Sequence, residues 1–189
     1  MKIGIYGGSF NPVHFGHTGL ARWVAEHTDL DEVWMMVSPS NPLKDSHILA
    51  DERVRLEQVR EAVEAIPHVK VSDFEFHLPR PSYTAHTLRA LSEAYPEHTF
   101  TLIIGADNIV IFDQWREWEY ILTHYRLFVY PRHGEQCTKH NAQCTMSSVI
   151  ERLAATVSQD TGLDIYGIVY LYDAPYFDIS STELRNAKK

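Results

Sequence analysis

Residues 3–17 read IGIYGGSFNPVHFGH, and this stretch predicts how the chain begins to fold. Its first four residues form a short apolar run, as in a buried β-strand. Beyond it, apolar and aromatic residues recur at helical spacing, at Leu20, Trp23, Val24 and His27. The segment between is therefore the turn from a strand into a helix. In an α/β sheet, such a turn lies at the carboxyl end of a strand, where ligands bind.

Strands and helices are predicted to alternate along the whole chain. The predicted strands are residues 2–6, 32–38, 69–74, 99–104, 126–130 and 165–172. Helical patterns cover residues 52–66, 85–95 and 146–157, with Asp51 and Thr84 as N-caps of the first two. This alternation is typical of a parallel sheet covered on both faces. We therefore predict an α/β fold: a single doubly wound, Rossmann-like domain with a mainly parallel sheet over residues 1–189.

The composition is that of a small globular protein. The 189 residues are 44% hydrophobic, which fits one domain with a real core. Only two cysteines occur, which argues against a disulfide framework and favours the cytoplasm. We find no membrane-spanning run and no signal-peptide pattern. The net charge of −8 argues against nonspecific nucleic-acid binding but allows a small anionic ligand held by local cations. A homo-oligomer is left open.

The turn after the first strand has features of a phosphate site. Gly7 and Gly8 have no Cβ, so backbone amides could approach a ligand closely, although the dinucleotide fingerprint G-x-G-x-x-G is absent. His14 and His17 lie three residues apart at the helix start, beside the positive end of the helix dipole. Imidazoles and amides in this position suit a phosphate group. Two alternatives remain: histidines that are structural or merely exposed, and a zinc pair, for which no third ligand follows in the same element.

A second segment with the same chemistry lies near the C-terminus, where residues 179–185 read ISSTELR. A Ser or Thr before Glu predicts an ordinary helix start. Such a helix would also offer hydroxyls, amides and Arg185 to a phosphate. Each segment alone is moderate support for a phosphate site, and the two together are strong support.

Two further histidines and two cysteines have a spacing that could suit a zinc site. They are His133, Cys137, His140 and Cys144. The spacing is not that of a standard zinc finger, and the segment is polar. We favour a surface loop there.

These two segments resemble the nucleotidyltransferase superfamily marked by H-x-G-H and S-S-T-x-x-R motifs. The stretches SPSNPLK, RPSYTAHTL, IIGADNIVIFDQW and FVYPRHG further resemble bacterial nicotinate-nucleotide adenylyltransferases in order and spacing. The resemblance covers nearly the whole chain and is weakest over residues 136–165. It implies transfer of the adenylyl group of ATP to nicotinate mononucleotide, giving deamido-NAD and pyrophosphate in NAD biosynthesis. Mg²⁺ would be bound through the substrate phosphates, with no metal ligand set in the protein.

The resemblance also implies which residues contact each substrate. Catalysis is expected from His14, His17 and Arg185. ATP contacts are expected from Gly7, Gly8, Ser9, Phe10, His14, His17, Lys44, Gly105, Asp107, Arg132, Ser181, Thr182 and Arg185. Nicotinate mononucleotide is expected at Ser82, Tyr83, Thr84, Trp115 and Arg116, with Trp115 stacking on the pyridine ring. The phosphate of the mononucleotide would attack ATP in line, without a covalent enzyme intermediate.

Three residues depart from the family pattern. Asn11 stands where Asp is common, Leu43 replaces the histidine of a P-H-K motif, and His86 replaces an Asp. Rival functions are transfer to nicotinamide mononucleotide, phosphopantetheine or glycerol phosphate, and a catalytically silent nucleotide-binding sensor. The SYT and GADN…W stretches favour nicotinate. The presence of both motif histidines and the motif arginine argues against the sensor.

Overall fold

The structure is a computed structural model that describes residues 1–39, 49–131, 139–161, 165–177, 179 and 181–186, with the side chains of α6 described over 148–159. The strands are β1 Lys2–Gly8, β2 Glu32–Val37, β3 Val69–Ser72, β4 Thr99–Gly105, β5 Arg126–Tyr130 and β6 Ile168–Tyr170. The α-helices are α1 Phe15–His27, α2 Glu52–Val63, α3 Thr84–Ala94, α4 Ala106–Val110, α5 Trp118–His124, α6 Lys139–Thr161 and α7 Ser181–Asn186. Short 3₁₀ helices occupy Phe74–His77 and Phe112–Gln114.

The six strands form one parallel sheet in the order β3-β2-β1-β4-β5-β6. This is the strand order of the doubly wound Rossmann fold, so the predicted fold class is confirmed. The order reverses between β1 and β4, which are neighbours although two strands separate them in sequence. At such a switch point the connections leave toward opposite faces and open a crevice at the carboxyl ends of the strands. The turn at residues 9–14 and the start of α4 both lie at this edge.

Helices cover both faces of the sheet, as the alternation predicts. Within β4, Ile103 and Ile104 point to opposite faces and enter different hydrophobic clusters. The cluster that holds Ile103 takes its helical residues from α1 and α2, among them Leu20, Val24 and Val59. The other takes them from α3, α4, α5 and α6, among them Leu88, Ile121 and Leu153. Burial on both faces explains why β4 is a continuous apolar run rather than an alternating one.

The two predicted helix caps have different outcomes. The carboxylate of Asp51 accepts from the backbone N–H groups of Arg53 (2.9 Å) and Val54 (3.4 Å), so this N-cap is confirmed. The prediction for Thr84 is wrong. An N-cap residue needs extended backbone, and that conformation falls on Tyr83, with φ −105° and ψ 137°. Thr84 is the first residue of α3.

Several predicted boundaries also differ from the structure. The strand predicted at 69–74 ends at Ser72, and the one predicted at 165–172 covers only Ile168–Tyr170. After β3, Asp73 is followed by a 3₁₀ helix that begins at Phe74. Around β6, apolar residues continue beyond those that pair in the ladder, which makes the strand look too long. The helix predicted at 146–157 spans Lys139–Thr161, because its polar first turns carry no apolar periodicity. In the part of the chain that the structure describes, no helix is both long and apolar enough to cross a membrane.

Candidate functional site

The turn after β1 places the two motif histidines against each other. His14 has extended backbone just before α1, and the His17 N–H donates to its carbonyl oxygen at 2.9 Å. The imidazole rings stack with centroids 3.6 Å apart. In return, the His14 N–H donates to Nδ1 of His17 at 3.3 Å. A neutral His17 therefore carries its proton on Nε2, which makes that nitrogen a hydrogen-bond donor.

Glycine stands at positions 7 and 8 of the turn for two different steric reasons. A Cβ on Gly7 would meet no atom within 4 Å, so this position faces open space, as a close ligand approach requires. A Cβ on Gly8 would lie 3.0 Å from Cζ of Phe10. The Phe10 ring is buried and stands edge-on to His17 with centroids 5.0 Å apart. Gly8 therefore makes room for a ring that supports His17.

The segment before α7 packs closely on α1. A Cβ on Gly19 would lie 2.4 Å from Cζ of Phe177, and one on Gly16 would lie 2.9 Å from Cγ2 of Ile179. Only glycine allows these approaches. The two small residues on one helix face thus form the seat that brings the C-terminal motif to the N-terminal one.

Hydrogen bonds then join α7 to the turn after β1. The Ser181 hydroxyl donates to the Pro12 carbonyl oxygen at 2.9 Å. Arg185 donates through Nη1 to the Asn11 carbonyl oxygen and through Nη2 to Oγ1 of Thr182 (2.9 Å). The structure thus brings both predicted motifs together. The partners of the Ser181–Pro12 hydrogen bond are 169 residues apart in sequence.

The departure at Asn11 has a local explanation. Its side-chain oxygen accepts from the Ala50 N–H at 3.3 Å, which ties the turn to the residue preceding the N-cap of α2. Only 7% of Asn11 is exposed. An aspartate could accept the same bond, so an amide here preserves the contact.

A cavity of about 230 Å³ opens beside the motif histidines. Its lining includes His14 and His17, Asp107 from the start of α4, and Tyr130 from the end of β5. Gly105, two residues before Asp107, is paired in register with Tyr130. The structure therefore gathers His14, His17 and Asp107, all predicted to bind ATP, around one space.

Tyr6 and Tyr130 also line this cavity and were not predicted. Their hydroxyl oxygens are 3.4 Å apart, and both residues are largely buried. The pairing joins strands that are not neighbours in the sheet, so no local sequence pattern indicates it.

Part of the predicted site lies outside the described residues. This holds for Lys44 and Arg132, and for Leu43, His133 and Cys137. The side chains of His140 and Cys144 are likewise outside the description. Within the described part of the chain, no three His, Cys, Asp or Glu side chains group as metal ligands could.

The residues predicted to bind nicotinate mononucleotide form a second group, at the start of α3 and at the end of the turn before α5. The guanidinium carbon of Arg116 is 4.9 Å from the ring centroid of Tyr83. The adjacent Glu117 accepts from Nη2 of Arg89 at 2.8 Å, and its other oxygen is 2.7 Å from Nε2 of His86. These bonds, the one from Arg89 above all, lower the pKa of Glu117. His86, the third departure, therefore helps to hold this turn against α3.

Two polar atoms in this second group are buried without a protein partner in the described structure. They are Oγ of Ser82 and Nε1 of Trp115. The Trp115 ring packs on Phe112 with centroids 4.9 Å apart. A buried polar atom without a partner costs about 1–3 kcal/mol. A polar ligand at this place could satisfy such atoms.

Comparison with known proteins agrees with this geometry. The chain belongs to the cytidylyltransferase-like family, whose model matches residues 5–187. It is similar over nearly its whole length to proteins named probable nicotinate-nucleotide adenylyltransferase. With that of Bacteroides fragilis it shares 44% identity over 186 residues, covering 98% of this chain and 81% of the relative. With that of Flavobacterium johnsoniae it shares 40% over 189 residues, covering 100% and 87%.

The fold also matches a solved structure. This is Plasmodium falciparum nicotinic acid mononucleotide adenylyltransferase complexed with NaAD, with a TM-score of 0.73. The match covers 98% of this chain and 82% of that one at 18% identity, so it bears on the fold alone.

Proposed function

We propose that the protein transfers the adenylyl group of ATP to nicotinate mononucleotide, forming deamido-NAD and pyrophosphate in NAD biosynthesis. The docking of α7 on the turn before α1 carries the proposal, because it unites the two phosphate-binding motifs at one cavity. The full-length relatives named for this reaction support the choice of substrates. The Plasmodium protein, which has the same fold, is complexed with NaAD, the kind of dinucleotide that the proposed reaction would form.

ATP lies at the crevice beside β1 and β4 in this proposal. Its phosphates meet the histidines at the start of α1, where Nε2 of His17 is a donor. The β- and γ-phosphates lie toward Ser181, Thr182 and Arg185. A guanidinium has five N–H donors, more than the two bonds to Asn11 and Thr182 use. Arg185 can therefore hold the turn and a phosphate together.

Nicotinate mononucleotide lies between α3 and the turn before α5. The pyridine ring stacks on Trp115, and its carboxylate faces backbone N–H groups near Thr84 and Arg116. Because α3 begins at Thr84, its first N–H groups have no partner within the helix. The positive end of the helix dipole favours an anion there.

The chemistry needs alignment more than a reactive side chain. An oxygen of the mononucleotide phosphate attacks the α-phosphorus of ATP, and the bond to the leaving pyrophosphate breaks. Donors fixed before the reaction stabilise the charge that develops, as His17 is fixed by His14 and Phe10. When bound, Mg²⁺ neutralises charge on the phosphates. Asp107 is the carboxylate among the described residues that line the cavity, and Mg²⁺ is commonly held by one or two carboxylates with substrate phosphates.

A substrate panel tests the proposal. Pyrophosphate release from ATP is measured with nicotinate mononucleotide, nicotinamide mononucleotide, phosphopantetheine or glycerol phosphate added. We expect release that depends on nicotinate mononucleotide and yields deamido-NAD. Release with phosphopantetheine or glycerol phosphate alone would assign a different transferase. Nucleotide binding without release in any mixture would indicate a sensor.

A further inference from the structure

Arg55 is a charged residue in the protein interior. It lies on α2 with 1% of its surface exposed. Its guanidinium donates to four backbone carbonyl oxygens, those of Ala50 (2.9 Å), Ser9 (2.6 Å), Ser38 (2.9 Å) and Pro39 (3.1 Å). These belong to the turn after β1, the end of β2 and the approach to α2. One side chain thus joins three segments at the edge of the sheet where ligands bind.

Filling the core at position 55 does not require a charged side chain. Burial lowers the pKa of Arg55, yet an arginine starts from so high a value that it remains protonated. Among the described residues, no carboxylate forms an ion pair with it; carbonyl oxygens surround the guanidinium, and the carboxylates of Glu52 and Asp51 act on it from farther away. Apolar side chains often replace a whole buried ion pair without loss of stability, but an apolar residue 55 would leave these carbonyl oxygens without their donor. The guanidinium therefore serves to hold in place the segments that carry those oxygens.

Arg55 fixes the direction of the turn that we assign to ATP. The Ser9 carbonyl points toward the guanidinium, so in a planar trans peptide the Phe10 N–H points the opposite way. The Ser38 N–H donates to the Gly8 carbonyl oxygen at 2.9 Å and holds the preceding residue. The positive charge thus stands directly behind the proposed phosphate turn.

The same contacts continue to the other proposed substrate site. The Ser38 hydroxyl lies beside the Glu75 carboxyl and opposes the rise in its pKa. The Thr87 hydroxyl donates to Oε1 of Glu75 at 2.9 Å and lies 3.3 Å from the Tyr83 carbonyl oxygen. Glu75 and Thr87 are both buried. We call Arg55, Ser38, Glu75 and Thr87 the buried polar chain; it ends in the first turn of α3.

We propose that Arg55 is a positioning residue for adenylyl transfer, and that the buried polar chain holds the ATP turn and the start of α3 at a fixed separation. The inference rests on the proposed function, because it assigns one substrate to each end of the chain. In-line attack depends on that separation, and a misplacement of about 1 Å can lower a rate about 10²-fold.

The first test replaces Arg55 by Met, which has similar reach without charge or donors. We expect kcat of the folded Arg55→Met variant to fall about 10²-fold at saturating ATP and nicotinate mononucleotide. Arg55→Lys keeps the charge but not the planar set of donors, and we expect an intermediate kcat. Arg60→Met on the exposed face of α2 is the matched control, since Arg60 pairs only with Glu57 among the described residues. Its kcat should equal that of the wild type.

The second test cuts the buried polar chain at its other end and does not depend on Arg55→Met folding. Thr87→Val removes the hydroxyl at nearly constant volume, and we expect kcat to fall about tenfold. Thr87→Ser restores the hydroxyl and should recover most of that loss. A folded Arg55→Met variant with wild-type kcat would overturn the inference. Equal kcat values for Thr87→Val and wild type would overturn it as well.

Binding measurements separate this inference from the proposed function. If the wild type releases no pyrophosphate with nicotinate mononucleotide, the proposed function fails. The positioning role is then judged by calorimetry with a non-hydrolysable ATP analogue. Weaker binding to Arg55→Met or Arg55→Lys than to Arg60→Met supports the role, and equal binding overturns it.

Discussion

The ring of His17 is held on several sides. His14 stacks on it, Phe10 meets it edge-on, and a backbone N–H donates to Nδ1. These contacts leave Nε2–H as a donor whose direction is set before a substrate arrives. Preorganised donors of this kind contribute mainly in the transition state.

We therefore predict that His17→Ala lowers kcat by about 10²-fold or more, while ATP affinity changes much less. The measurement is steady-state kinetics together with ATP binding by calorimetry. His27→Ala, at the exposed far end of α1, is the control and should be active. A His17→Ala variant with near-normal turnover would show that the histidine is structural.

At this scale the sequence predicts what local spacing determines. The histidines meet because His14 is the N-cap residue of α1 and His17 lies in its first turn, where the two exchange hydrogen bonds. The Asp51 cap follows from its place before a helical pattern. Arg55 and Tyr130 could not be predicted in the same way. Arg55 looks like one more charge on a polar helix, and its carbonyl partners come from three separate segments.

Among the elements, α1 is shaped as much by what packs on it as by its own sequence. Glycine inside a helix is less favourable than alanine by about 1 kcal/mol. At Gly19, however, an added Cβ would lie 2.4 Å from the Phe177 ring. Overpacking of this kind costs about 1–3 kcal/mol, so the steric effect exceeds the helix propensity.

We expect Gly19→Ala to displace Phe177 and with it α7, raising KM for ATP and weakening inhibition by pyrophosphate. The shift should be about tenfold, corresponding to about 1.4 kcal/mol in the lower part of that energy range. Glu26→Ala, exposed on the same helix, controls for helix propensity. A second substitution, Phe177→Leu, should restore part of the loss in the Gly19→Ala background. Unchanged ATP kinetics in Gly19→Ala would show that the seat on α1 is not needed to place α7.

The start of α3 leads to a prediction about the preference for nicotinate mononucleotide over nicotinamide mononucleotide. A carboxylate accepts on both oxygens, so two backbone donors are satisfied at once. A nicotinamide would leave one donor unpaired or turn its own NH₂ toward it, at about 1–3 kcal/mol, and more where a charged contact is lost. We expect kcat/KM for nicotinate mononucleotide to exceed that for the amide by roughly 10²-fold. Equal efficiencies would refute the acid preference and leave adenylyl transfer intact.

Some helices and strands can be predicted from the sequence more accurately than others. β4 is a long apolar run and was predicted almost to the residue, whereas α4 and α5 follow it without a clear amphipathic pattern. Both are short, and their positions are set by packing on the sheet and on α3. The second substrate group, including Trp115, depends on those positions. Its residues could be named from the resemblance, but their contacts with α3 could not.

For the whole molecule, alternation of strands and helices was enough to predict a parallel, doubly wound sheet. The order of the strands was not, because the pairing of β1 with β4 joins segments about a hundred residues apart. The buried polar chain also joins separate segments, since its members range from Ser38 to Thr87. Its one carboxyl group, Glu75, ties the stability of the molecule to pH.

Burial raises the pKa of the Glu75 carboxyl, although the nearby Ser38 hydroxyl and the hydrogen bond from Thr87 oppose the shift. The folded state therefore binds this proton more tightly than the unfolded state does. The stabilisation that Glu75 contributes is complete below its unfolded pKa and is lost as the pH rises through the folded pKa. Asp29 and Glu117 act in the opposite direction, because hydrogen bonds from Lys2 and Arg89 lower their pKa values.

Glu75→Gln keeps an acceptor for Thr87 and cannot ionise, so it isolates this effect. We expect the free energy of unfolding of the wild type, relative to that of Glu75→Gln, to decrease as the pH rises from about 4 to 7. Asp29 and Glu117 are common to both proteins and cancel in the difference. Urea unfolding over a pH series gives the measurement, and Glu93→Gln on the exposed face of α3 corrects for the loss of one carboxylate. A difference that stays constant or increases with pH would mean that Glu75 ionises inside the fold at least as readily as in the unfolded chain.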